Sequence, residues 1–157
     1  MTTTLTGATE RAPYIPAERT IPATLVALPE LGGHTKAFVM ACGRGDREST
    51  AASLELAVHE IAVNIVRHAY EGRPGWIHAR FILDHDDLVV TLSDGGRTFS
   101  PADAVDPDLH QASEGGYGLF LVRQLVDRLS YTRVGGRNHW QLRIGRSGRN
   151  HDVQPEA

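Results

Sequence analysis

The sequence predicts an α+β fold, a two-layer sandwich in which helices cover one face of a mostly antiparallel sheet. Three observations favour this class. Residues 49–70 carry apolar side chains at helical spacing. Two pairs of alternating segments, 76–83 with 88–92 and 131–134 with 139–144, are each joined by a short turn typical of antiparallel hairpins. The predicted order of elements, β-α-α-β-β-loop-α-β-β, fits helices layered on one face of the sheet.

The first half of the chain contains one predicted strand and two predicted helices. Residues 21–28 are compatible with a strand, and residues 30–41 with a helix whose first turn is weakened by two glycines. The strongest helix covers residues 49–70, because either Ser49 or Ser53 can cap its start. Its predicted buried stripe consists of Leu54, Val58, Ile61 and Ile65.

The second half begins with the hairpin over residues 76–92, in which apolar and polar side chains alternate. Residues 93–116 show no strong periodicity, and such a long irregular stretch inside a compact domain often forms a functional lid. A further helix is predicted over residues 117–129. The last hairpin, over residues 131–144, turns at Gly135-Gly136.

Length and composition limit the kind of protein. The 157 residues predict one domain over residues 21–146, flanked by a loose leader at 1–20 and a loose tail at 147–157. A net charge of -3 gives no basic field for nucleic acid or a membrane surface. The single Cys42 cannot form an internal disulfide, and no signal sequence or membrane-spanning run is evident, so a cytoplasmic protein without direct nucleic-acid or membrane contact is expected.

Two further expectations concern tryptophans and arginines. Trp76 and Trp140 lie in or at predicted strands and are expected in the core. Three arginines near the end of the chain are expected to form a solvated basic tail: Arg143, Arg146 and Arg149.

Glu60, Asn64 and His68 lie at positions i, i+4 and i+8 of the longest predicted helix. They therefore form a polar edge beside its apolar stripe. An Asn oxygen can bind magnesium, and a carboxylate one turn away can accept a proton from an attacking hydroxyl. The alternative is a solvated glutamate and an ordinary surface asparagine.

Two glycine-containing segments complete the pattern. Asp94 follows a predicted strand and could accept a hydrogen bond from an exocyclic amine, while Gly96 allows a close backbone approach. The segment Gly115-Gly116-Tyr117-Gly118 precedes a helix, whose free N–H groups favour phosphate oxygens. Each segment alone could be a plain turn or connector. Their combination predicts a magnesium-ATP pocket.

In this order, the three segments resemble the motifs of the Bergerat-type ATPase fold shared by GyrB, histidine kinases and MutL. Residues 60–70 resemble its N box. Residues 94–99 resemble the G1 box, and residues 116–122 resemble the G2 box. Within this superfamily, residues 21–144 are most similar to the RsbW-like anti-sigma-factor serine kinases of bacteria.

The resemblance implies a role for each matching residue. Glu60 would be the general base and Asn64 the magnesium ligand, while Asp94 would hold the adenine amine. The remaining implied nucleotide-binding positions are Gly96, Phe99, Gly115, Gly116, Gly118 and Leu119. Two departures concern the adenine site: Asn138 stands where relatives often carry a threonine, and Arg97-Thr98 replaces acidic or small residues.

The resemblance also implies a function. The chain would be an ATP-dependent protein serine kinase and anti-sigma factor, with ATP and Mg2+ as cofactors. It would phosphorylate a small STAS-type anti-sigma factor antagonist, sequester a sigma factor and form a homodimer. Two alternatives are a nucleotide-binding partner-switching module without kinase activity and an isolated histidine-kinase catalytic domain.

Overall fold

The computed structural model of the protein describes residues 17–100 and 117–149. Within these residues, five strands form one antiparallel sheet in the order β1-β2-β3-β5-β4. Their bounds are β1 Ala17–Pro22, β2 Trp76–Asp84, β3 Asp87–Asp94, β4 Arg128–Val134 and β5 Arg137–Gly145. Gly135 and Gly136 both have positive φ, 58° and 75°, as a tight two-residue hairpin between β4 and β5 requires.

In the described part of the chain, three helices pack with the sheet around a single core. They are α1 Leu28–Cys42, α2 Arg47–Asn64 and α3 Tyr117–Leu125. A 3-10 turn, Leu25–Ala27, precedes α1, and a π-helical turn, Ile65–Ala69, continues α2. The predicted stripe of α2 lies fully inside, against alternate residues of β2, β3 and β5. The predicted α+β class is therefore confirmed.

The boundary of the predicted leader is wrong at its last four residues. Ala17, Glu18, Arg19 and Thr20 belong to β1, where they pair with residues 78–81 of β2. The predicted strand over residues 21–28 is wrong in its second half, because Leu28 is buried as the first residue of α1. Residues 1–16 lie outside the described residues.

Two helix ends differ from their predictions. The cap of α2 is Asp46, whose side chain accepts a hydrogen bond from the Ser49 N–H; neither Ser49 nor Ser53 is the cap. Helix α3 ends at Leu125 rather than at residue 129. The reason is that the Asp127 N–H donates to the Arg143 carbonyl, which turns the chain into β4.

Two side-chain expectations are also wrong. Trp76 is 60% exposed at the start of β2, whereas Trp140 is buried as predicted. The arginines at the end of β5 anchor the fold instead of forming a solvated tail. Arg143 pairs with Asp84 and Asp87, and the Arg146 guanidinium donates twice to the Cys42 carbonyl.

Cys42 itself is buried, and burial raises the pKa of its thiol. No helix within residues 17–100 and 117–149 is long and apolar enough to cross a membrane.

Candidate nucleotide-binding site

The polar edge of α2 meets the first turn of α3. Glu60 and Asn64 are one turn apart on α2 and are both partly exposed. A Cβ added to Gly118 would stand 3.1 Å from Glu60 Oε2 and 3.6 Å from Asn64 Nδ2. The glycine therefore lets the backbone of α3 approach a carboxylate and an amide that lie 58 and 54 positions earlier in the sequence.

The start of α3 supplies backbone donors at this meeting point. The first N–H groups of an α-helix have no partner within the helix, and together with the helix dipole they favour anions. Leu119, one residue further on, is buried in the core with Val122 and fixes the helix in place. Gly115 and Gly116 fall outside the described residues, as does most of the predicted lid.

The π-turn at the end of α2 changes the direction of the polar edge. Its wider spacing is visible in the hydrogen bond from the Tyr70 N–H to the Ile65 carbonyl, five residues back. His68 consequently leaves the line of Glu60 and Asn64, and its side chain is exposed. Its carbonyl instead accepts a hydrogen bond from Arg97 Nε at 2.7 Å.

The loop after β3 packs directly on this turn. The Arg97 N–H donates to the Ala69 carbonyl, and a Cβ added to Gly96 would stand only 2.5 Å from that carbonyl oxygen. The close approach that requires glycine at position 96 is thus to the protein's own backbone. The Tyr70 hydroxyl accepts from the Gly95 N–H and donates to the Trp76 carbonyl, which fixes the loop further.

Asp94, the last residue of β3, is 0% exposed. Its Oδ1 accepts hydrogen bonds from the Gly96 N–H and from Asn138 Nδ2, each at 2.8 Å. Its Oδ2 is buried and has no hydrogen-bond partner among residues 17–100 and 117–149. Burial raises the pKa of the Asp94 carboxyl, an effect opposed by these hydrogen bonds and by the charges of Arg133 and Arg137.

A polar network surrounds Asn138, which is 1% exposed and pairs with Asp94 across β3 and β5. Asn138 Oδ1 accepts from the Tyr131 hydroxyl and from Arg133 Nη1, at 2.6 Å and 2.7 Å. Sequence reasoning missed both partners. The one available signal was that Tyr131 and Arg133 alternate on β4, two residues apart, before a tight turn that carries β5 back beside them.

Phe99 belongs to an aromatic group beside this network. Its ring packs against Tyr131 and Trp140, with centroid distances of 5.4 Å and 4.9 Å. The Phe99 N–H also donates to the Tyr131 hydroxyl. These contacts hold the loop from residue 95 to residue 99 over the end of the sheet.

The predicted residues thus gather at two places joined by α2. Glu60 and Asn64, the two residues that remain on the polar edge of α2, meet Gly118 directly. Asp94, Gly96 and Asn138, here called the acceptor corner, pack against the π-turn through Ala69. Five positions along one helix separate Asn64 from Ala69, so the two places are neighbours in the fold.

The arrangement fits a magnesium-bound purine nucleotide. An unpartnered buried acceptor, Asp94 Oδ2, suits a donor such as an exocyclic amine. A helix N-terminus beside Asn64 and Glu60 suits phosphate oxygens and a hard cation, which takes few protein ligands when phosphates supply the others. No group of three or more His, Cys, Asp or Glu side chains within residues 17–100 and 117–149 could hold a metal on its own.

Fold and site together define a candidate nucleotide-binding α+β domain. Residues 21–144 match the family described as histidine kinase-like ATPase domain, and the chain belongs to this family. The predicted superfamily is therefore confirmed.

Two named relatives are protein kinases. The chain is 35% identical over 95 residues to the serine/threonine-protein kinase BtrW of Bordetella bronchiseptica, a match that covers 57% of this chain and 67% of that protein. It is 36% identical over 89 residues to the serine-protein kinase RsbW of Bacillus subtilis, covering 48% of this chain and 53% of that protein. The chain thus matches only about half the length of this RsbW.

A solved structure shares the fold. The crystal structure of the RsbU and RsbW domains of Rv1364c from Mycobacterium tuberculosis superposes with a TM-score of 0.61 at 21% identity. The superposition covers 86% of this chain and 33% of that one.

Proposed function

We propose that this chain is an ATP-dependent protein serine kinase that also acts as an anti-sigma factor. It would phosphorylate a small STAS-type antagonist and sequester a sigma factor. The observation that supports the proposal is the meeting of Glu60 and Asn64 with the first turn of α3, because it brings a carboxylate, an amide and free backbone N–H groups together. The names of the two relatives support serine or threonine as the acceptor.

The binding roles divide between the two places in the site. At the acceptor corner, Asp94 Oδ2 would accept a hydrogen bond from the adenine amine. At the polar edge, Asn64 would ligate magnesium and the N–H groups of α3 would bind phosphate oxygens. Further nucleotide contacts are proposed for Gly96, Phe99, Gly115, Gly116, Gly118 and Leu119.

Glu60 would act on the protein substrate. Magnesium-ATP, when bound, supplies the γ-phosphoryl group. The Glu60 carboxylate accepts the proton of the substrate serine hydroxyl, whose oxygen forms the new bond to phosphorus as the bond to the ADP oxygen breaks. Because Glu60 is partly exposed, a substrate hydroxyl can reach it from solvent.

Two partners would compete for the protein. The unmodified antagonist would form one complex with the kinase, and the sigma factor would form the other. Phosphorylation of the antagonist would make it leave, which frees the kinase to hold the sigma factor. A homodimer and a cytoplasmic location are proposed on the resemblance described above.

The kinase proposal is tested by incubation with magnesium-ATP and purified STAS-type proteins from the same genome. Glu60→Ala should lower phosphoserine formation by about a hundredfold or more, because general-base catalysis contributes that much. Glu55→Ala is the matched control, since Glu55 is a partly exposed glutamate of the same helix. It should leave the rate unchanged.

Each other outcome rejects the kinase proposal. Equal rates for Glu60→Ala and the wild-type protein would remove Glu60 from the chemistry. ATP binding without phosphate transfer to any STAS-type protein would indicate a partner-switching module, and phosphohistidine on a partner would indicate a histidine-kinase catalytic domain.

A further inference from the structure

We infer that Asn138 is a positioning residue that locks the Asp94 carboxylate in the orientation from which Oδ2 reads a 6-amino purine. The inference rests on the proposed nucleotide site and adds a determinant of its base selectivity.

The orientation of the Asn138 amide is fixed by its neighbours. Arg133 can only donate hydrogen bonds, so the oxygen of the amide must face it. The amide nitrogen donates to Asp94 Oδ1 and to the Arg97 carbonyl, both at 2.8 Å, and neither of these atoms can donate. A flipped amide would oppose like groups at all three of these contacts.

The Tyr131 hydroxyl strengthens this lock. It donates to Asn138 Oδ1 at 2.6 Å and accepts from the Phe99 N–H at 3.0 Å. The network therefore extends from β4 through β5 to the loop that follows Asp94. In a buried site, hydrogen bonds linked in this way strengthen one another and hold their side chains rigidly.

Asn138 is saturated by this network. Both of its N–H bonds and both lone-pair directions of its oxygen are used, so it offers no group to a base. Asp94 Oδ1 is likewise occupied by two donors, which leaves Oδ2 as the acceptor available to a ligand. A lone acceptor pairs with the 6-amino group of adenine and opposes the 6-carbonyl oxygen of guanine.

Other charges also face Asp94. Arg133 approaches from β4 and Arg137 from β5, and both favour the ionised carboxylate. The Arg97 guanidinium is instead held by Glu71 and by the His68 carbonyl. Substitution of Asn138 removes one acceptor of Arg133, whose Nη1 keeps its hydrogen bond to the Gly96 carbonyl. All three cations stay in the chain, so the change at Asp94 reports chiefly the lost amide.

The test compares Asn138→Ala and Asn138→Thr with Gln141→Ala. Gln141 is the matched control, because it carries the same amide group on β5. It lies three residues after Asn138, so its side chain is on the opposite face of the sheet. Two quantities are measured: the titration midpoint of the Asp94 carboxyl by carbon NMR without nucleotide, and calorimetric affinities for magnesium-ATP and magnesium-GTP.

In Asn138→Ala, the Asp94 midpoint should rise, because the ionised form loses a hydrogen bond. ATP affinity should fall about tenfold, the value of one hydrogen bond to a charged group, and the preference for ATP over GTP should narrow. Asn138→Thr should bring the Asp94 midpoint, the ATP affinity and the preference for ATP most of the way back to their wild-type values, since the threonine hydroxyl can donate to Asp94 Oδ1. Gln141→Ala should match the wild-type protein in both.

A wild-type Asp94 midpoint together with an unchanged ATP-to-GTP ratio in Asn138→Ala would overturn the inference. If Asn138→Ala does not fold, Tyr131→Phe replaces it, with smaller shifts expected in the same directions and the same contradicting outcome. A wild-type protein that binds neither nucleotide would instead reject the proposed function, while the NMR comparison would still decide the role of Asn138.

Discussion

Strand β3 begins and ends with an aspartate, and the two carboxylates have opposite environments. Asp87, at its start, accepts a hydrogen bond from Arg143 at 3.1 Å, and its side chain is 34% exposed. Asp94, at its end, is fully buried, and its direct side-chain partner is a neutral amide. One oxygen of Asp94 has no hydrogen-bond partner in the part of the chain that the structure describes.

This contrast separates a carboxylate whose partners lie within the fold from one that, under the proposed function, binds a ligand. A paired and partly solvated acid contributes modestly to stability and needs no further partner. A buried acid with an unsatisfied oxygen is unfavourable for folding, and such groups are found where a site requires them. The two ends of β3 should therefore respond differently to the same substitution.

The largest expected effect is on nucleotide binding by Asp94→Asn. The network of Asn138 and Gly96 needs an acceptor from residue 94, so the new amide nitrogen must take the place of Oδ2 and face the purine amine. ATP affinity should fall about a hundredfold, the upper range for a hydrogen bond to a charged group. Isothermal titration calorimetry measures it, and an affinity within threefold of wild type would contradict this role.

The next effect is on stability at the loop that follows Asp94. Gly96→Ala should lower the free energy of unfolding by about 1–3 kcal/mol, the usual cost of overpacking, because its Cβ would meet the backbone of Ala69. Gly95→Ala is the adjacent control, since its Cβ would make an ordinary 3.8 Å contact with the Tyr70 hydroxyl. Urea denaturation compares them, and equal stability of the two variants would argue against the packing described.

A third effect is the pH dependence of stability. Burial raises the pKa of native Asp94 above its unfolded value, so in the window between the two values the native state binds more protons than the unfolded chain. Stability from this group is therefore highest below the window and falls as pH rises through it. Asp94→Asn removes the dependence.

Urea denaturation of Asp94→Asn and wild type across pH 4 to 8 checks this sign. Relative to the wild-type protein, Asp94→Asn should become more stable against unfolding as pH rises. The difference in stability should then stay constant above the pKa of native Asp94. A constant difference at all pH values would show that Asp94 titrates alike in both states.

The smallest effect is expected at the other end of the strand. Asp87→Asn weakens one of two ion pairs of Arg143, which keeps its pair with Asp84 at 2.9 Å. Partly exposed ion pairs contribute less than about 1 kcal/mol, so a slight decrease in the midpoint of thermal unfolding is expected. ATP affinity should not change. A loss of ATP binding comparable with that of Asp94→Asn would remove the distinction between the two ends.

Local patterns in the sequence were sufficient to predict most of the fold. The helical spacing of Leu54, Val58 and Ile61 identifies α2, and the alternation on either side of Gly135-Gly136 identifies the last hairpin, because both depend on residues close in the chain. Element ends were less predictable. Asp46 caps α2 from a position before its periodic stretch, and β1 begins at Ala17 because of its register with β2.

The sequence predicted the composition of the candidate site but not its support. Glu60, Asn64 and Asp94 belong to short motifs, whereas the Asn138 network joins residues up to 44 positions apart through strand register. The π-turn that removes His68 from the polar edge leaves no helical-spacing signal either. Arg143 and Arg146 resembled a basic tail because their partners, Asp84 and the Cys42 carbonyl, are distant in sequence.

The proposal that the acceptor corner and the polar edge bind one nucleotide is open to a single measurement. It is tested most directly by titrating the isotopically labelled protein with magnesium-ATP and following the amide resonances of Gly96 and Gly118. Both resonances should shift with a single Kd, and Asp94→Asn should weaken both shifts equally. Shifts at only one glycine, or two distinct Kd values, would contradict it.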